Sequence, residues 1–213
     1  MIILNDVEFV GEAQQEMSLL NTHTAVNEIK GSFVTYAYSI LYHRPWFGLF
    51  AYLLGSYLRN ITSQNNGVND FKVNKIKKSD LSLLFNKLNR FEAKVKLQRK
   101  NSFFLIKELE DTSLRLPNEK KNTYCNYYLF PIQFNNKEER DYAHIRLRDM
   151  GVDTAMLYGE TPLKSKRFYG YKGDCPVAER VADTILTIPN YYTLEKRDLI
   201  KIVDSIKRVE VLL

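Results

Sequence analysis

The chain has 213 residues, 45% of them hydrophobic and 26% charged, with a formal charge of +6. That length suits one large domain or two small ones, and the composition excludes a wholly disordered chain. The lysines fall in short runs at 72–78 and 118–121, and the 14 tyrosines and 12 phenylalanines follow apolar patterns. This is the signature of a solvated basic surface and not of a nucleic-acid partner.

Two cysteines, Cys125 and Cys175, and three scattered histidines, His23, His43 and His144, have no metal-ligand or disulfide-framework spacing. No metal site is expected. No cationic segment followed by an apolar core opens the sequence, which points to the cytoplasm.

In chain order, Met1 to Leu4 read as a short apolar strand, and Asp6 as the cap of a helix through Val7, Val10 and Met17. A strand starting at the first residue hints at missing upstream structure. Residues 33–58 are the most apolar stretch, cut by His43, Arg44 and Pro45 into two pieces, each shorter than the roughly 20 residues of a membrane span. A buried helical hairpin or a dimer contact is expected here. An interfacial membrane helix anchored by Trp46, Phe47 and Phe50 is the alternative.

The polar, Asn-rich residues 60–70 read as a linker. A long helix capped by Ser79 or Asp80 follows. It carries Leu81, Leu84, Phe85, Leu88, Phe91 and Val95, then Ser102, Phe103, Ile106 and Leu109, at helical spacing. Tyr124 to Phe134 reads as a strand, with Tyr128, Phe130, Ile132 and Phe134 on one face and Pro131 turned to an edge. Asn135 and Asn136 begin a helix to Met150, with Ala143, Leu147 and Met150 on one face and Gly151 as its stop, and a second strand runs from Val152 to Tyr158. A loop follows, and then a helix between Pro176 and Pro189 with Val177, Val181, Ile185 and Ile188 on one face. A last helix carries Leu199, Ile202, Val203, Ile206 and Val209. Helices packed on a small sheet make the expected class α/β (α+β).

Several of these segments, in this order, resemble the C-terminal region of the DegT/DnrJ/StrS family of pyridoxal-phosphate-dependent sugar aminotransferases. They are Lys87-Leu88-Asn89-Arg90-Phe91, Gly151-Val152-Asp153-Thr154, Pro162-Leu163, Cys175 to Glu179 and Leu186 to Pro189. Met1 to Glu8 is similar to the segment that follows the family's Gly-Gly turn. The resemblance implies the small C-terminal domain of a fold-type-I aminotransferase over 79–213. It also implies a linker at 61–78 and a remnant of the large domain over 1–60, elaborated by an apolar helical insertion.

A complete member would move an amino group from glutamate to a nucleotide-linked keto-sugar, in polysaccharide or amino-sugar biosynthesis, with pyridoxal phosphate as cofactor. The family's cofactor lysine and most of its phosphate contacts belong to the half that would precede Met1. The resemblance therefore gives no catalytic residue here, and the chain alone is expected neither to bind the cofactor nor to catalyse. Asn74 and Lys75 stand where the family reaches across its dimer to the neighbouring cofactor phosphate. Lys164 replaces a family histidine beside the substrate. The implied partners are a second copy or the missing large-domain half. A non-catalytic module that pairs with a separately encoded large domain, and a peripheral membrane protein of polysaccharide assembly held by 33–58, remain as alternatives.

Overall fold

The computed structural model describes residues 9–41, 46 and 74–212. The chain divides into two compact units, Met1–Asn89 and Arg90–Leu213. The expected opening strand, the second half of the apolar stretch and most of the linker lie outside the described residues.

In the first unit, helix α1 spans Val10–Leu19, α2 Ala25–Leu41 and α3 Lys78–Leu88. Thr24 caps α2, its Oγ1 accepting the Asn27 N–H at 3.3 Å. An isolated parallel bridge joins Asn21 to Asn74, where the Lys75 N–H donates to the Asn21 carbonyl at 3.0 Å. None of the three helices has a buried residue. Of the apolar stretch 33–58, the described residues Phe33, Val34, Tyr36, Tyr38 and Ile40 are all exposed.

The long helix expected from residue 79 is two helices. α3 ends at Leu88, and α4 runs from Phe91 to Leu109. Ser79 and Asp80 sit inside the first turn of α3, preceded by Lys77, which makes no side-chain cap. The stripe also changes character along its length. Leu81, Phe85, Leu88 and Phe91 are exposed, whereas Ser102, Leu105 and Leu109 are buried and Phe103 is not. The buried positions follow i, i+3, i+7, so the core-facing side is rotated from the one the sequence suggests.

The second unit holds the core. Strand β1, Phe130–Gln133, pairs antiparallel with β2, Ile185–Ile188, in the register Phe130↔Ile188 and Ile132↔Leu186. All four of these side chains face inward, as cross-strand neighbours on one side of a ladder must. Against them pack Leu105 and Leu109 of α4, and Ala143 and Leu147 of α5, which spans Lys137–Asp149. The terminal helix α8, Lys196–Glu210, contributes Leu199, Ile202, Val203, Ile206 and Val209. Two further helices, α6 (Thr161–Tyr169) and α7 (Pro176–Thr184), pack on each other, and α7 packs on α5. This is a helix-rich mixed unit on a two-stranded sheet, in the class read from the sequence.

Local chemistry explains most boundaries. The Asn136 Oδ1 accepts the Glu139 N–H at 2.8 Å while its Nδ2 donates to the Glu139 carboxylate at 2.8 Å, closing the start of α5. Gly151, at φ +75°, provides the left-handed residue that ends it. The Gln133 N–H donates to the Arg115 carbonyl at 3.0 Å, away from β2. Pro131 lies two residues earlier and so turns its missing N–H to the same outer side. β1 therefore tolerates it.

Four expectations are corrected. The helix between Pro176 and Pro189 stops at Thr184, and Ile185–Ile188 is β2, with Leu186 and Ile188 buried. Four consecutive residues rich in β-branched side chains gain a full antiparallel ladder there. Residues 152–158 form no strand: Val152 and Thr154 are buried, and only Ala155 bridges, to Thr187. The expected loop after it contains α6, with Pro162 in the first turn and Gly170, at φ +68°, closing the end. The strand expected from Tyr124 begins only at Phe130, because Tyr127 takes a left-handed backbone (φ +50°). That one residue shifts the alternation, so Tyr127 is buried and Tyr128 is exposed.

Candidate functional site

Lys75 lies in the first unit. Its Nζ donates to the Ser18 carbonyl at 3.4 Å, beside the C-terminal turn of α1, where a cation suits the helix dipole. Asn74, next to it, is exposed. Lys164 belongs to the second unit, on the outer face of α6. It pairs with Glu160 one turn earlier, at 2.9 Å, with 54% and 70% of the two side chains exposed. Each of the three sites is a surface position.

The most organised polar cluster is one that the sequence did not single out. On α4, Arg99 donates to both oxygens of Glu119, at 3.1 and 3.0 Å, and to the Cys125 carbonyl. The Cys125 N–H donates to Glu119 at 2.8 Å. The guanidinium lies 4.0 Å from the centre of the Tyr124 ring and 5.1 Å from that of Phe103. Hydrogen bonds from Arg99 and from the Cys125 N–H hold the Glu119 carboxyl below the usual carboxylate range.

Around this pair runs a shallow groove of about 460 Å³, lined also by Ile106, Pro117, Asn118, Lys120, Thr123 and Tyr127. Tyr127 forms its inner wall, with the hydroxyl buried and without a hydrogen-bond partner. Burial first, and then the Glu119 charge, push that phenol upward.

A second cluster lies beneath it. The Gln98 side chain donates to the Tyr127 carbonyl at 2.6 Å, and the Asn190 Nδ2 donates both to that carbonyl (3.0 Å) and to Ser102 Oγ (2.8 Å). These bonds fasten the left-handed turn at Tyr127 to α4 and to the residue after the Leu186–Pro189 segment. The Arg99 guanidinium has an ion-pair partner, a carbonyl and an aromatic face, so the groove is a clasp between α4 and the 117–127 loop and not an open anion receptor.

The residues also decide whether a pyridoxal phosphate fits. Its aldehyde needs an enclosed lysine, and its ring nitrogen needs an acidic partner. Among the described residues no lysine is buried. Lys120, at the rim of the groove, is exposed, and its neighbour Glu119 is committed to Arg99. The described residues of each unit therefore assemble no site for the cofactor. Nor is there a group of three or more His, Cys, Asp or Glu among them that could hold a metal ion.

Residues 58–207 match the model of the DegT/DnrJ/EryC1/StrS aminotransferase family. The chain belongs to this family. Among solved structures it is similar to the aminotransferase TlmJ from Streptoalloteichus hindustanus, with 26% identity and a TM-score of 0.55 over 59% of this chain and 34% of that one. A DegT DnrJ EryC1 StrS aminotransferase from Brucella abortus gives 19% and 0.58, over 68% of this chain and 40% of that one. The sugar aminotransferase Spr1654 from Streptococcus pneumoniae, in its PLP-form, gives 16% and 0.56, over 60% and 34%. No curated protein matches. The chain thus spans about a third of the length of the solved family members it resembles, and the family match begins downstream of α2. Among the described residues no helix is long and apolar enough to cross a membrane.

Proposed function

We propose that this chain is the C-terminal portion of a pyridoxal-phosphate-dependent aminotransferase acting on nucleotide-linked keto-sugars, and that it does no chemistry until the rest of the fold is supplied. The reading rests on one observation above the others. Residues 58–207 match the aminotransferase family, and solved sugar aminotransferases are similar in fold over 58–60% of this chain, yet no lysine among the described residues is enclosed. The remaining two thirds, in a longer polypeptide or a separate chain, would bring the cofactor lysine. Two cysteines standing as exposed free thiols support a cytoplasmic setting.

In the completed protein Asn74 and Lys75 would approach the phosphate of a cofactor held by a neighbouring subunit, and Lys164 the sugar substrate. Their present bonds do not oppose this. The Lys164–Glu160 pair is a surface pair, and releasing such a pair costs about 0–1 kcal/mol.

The test is complementation. The chain is produced together with the large domain of a family member, and amino transfer from glutamate to a keto-sugar nucleotide is followed. Turnover well above that of either part alone is expected. A stable association of the two folded parts with no turnover would count against the proposal.

A further inference from the structure

We draw no further inference here: the strongest candidate, the shallow groove between α4 and the 117–127 loop, belongs to the clasp already described, with Arg99 and Glu119 committed to each other and nothing in the structure to show what would occupy it.

Discussion

The Asn190 side chain donates to the backbone carbonyl of Tyr127 at 3.0 Å, joining residues 63 apart in sequence. Tyr127 is left-handed and Asn190 directly follows the proline that ends β2, so this bond fixes how the loop before β1 meets the turn after β2. Asn190→Ala should destabilise the chain by about 1 kcal/mol. Two buried hydrogen bonds are lost, but Asn190 Oδ1 has no partner and its burial cost is removed as well. Asn190→Asp should cost more, since a carboxylate would face the Tyr127 carbonyl with no N–H to give. Urea denaturation measures both, and equal midpoints for the two variants would contradict this account.

Tyr127 separates ring from hydroxyl. Its ring is buried, 5.6 Å from Phe103 and 6.5 Å from Phe130, while the hydroxyl has no partner. Tyr127→Phe should therefore be neutral or stabilising, within about 1 kcal/mol. Tyr127→Ala should lose about 3–5 kcal/mol. A marked loss in Tyr127→Phe would mean that the hydroxyl does bond, with Glu119 the nearest acceptor to test.

Packing around α7 and α8 gives a paired test. Leu147 and Ile206 are fully enclosed, so Leu147→Ala and Ile206→Ala should each cost about 2–4 kcal/mol. Val177 is 64% exposed, and Val177→Ala should fall within about 0.5 kcal/mol of the parent. A large loss at Val177 in thermal or chemical denaturation would restore the buried helical stripe read from the sequence.

Acid should weaken the second unit through His144. Its Nδ1 lies 2.7 Å from Thr154 Oγ1, and burial, followed by the Arg148 and Arg140 charges, lowers its pKa. The unfolded chain then binds a proton that the folded chain resists. This contribution is fully present above the unfolded value of about 6.5 and is lost as pH falls through the folded value. Stability measured from pH 7.5 to 5 should decline, and His144→Gln should flatten that part of the slope. An unchanged slope would assign the acid sensitivity to the carboxylates, Glu119 among them.

The sequence showed what depends on periodicity over three or more turns. α8 keeps five apolar residues at helical spacing, and all five are in the core. α5 shows its apolar positions Ala143 and Leu147 and its terminal glycine, while which of Asn135 and Asn136 caps it is settled only by the bonds to Glu139. Short elements were ambiguous: Ile185, Leu186 and Ile188 fit both a helical stripe and a strand, and only the partner strand at 130–133 decides. The stripe on α3 looked buried because amphipathicity marks a face without naming what covers it. The Arg99–Glu119 clasp joins residues 20 apart across the end of α4 and the loop that follows it, a pairing that composition and spacing do not encode.

The central claim is that this chain supplies family scaffold while the cofactor-binding lysine comes from elsewhere. Purified chain is incubated with pyridoxal phosphate, reduced with borohydride and mapped by mass spectrometry. The account expects no near-stoichiometric pyridoxyl adduct on any single lysine, with at most scattered low-level labelling of exposed ones. A full adduct on one lysine, formed with the visible absorbance of a bound cofactor, would contradict it.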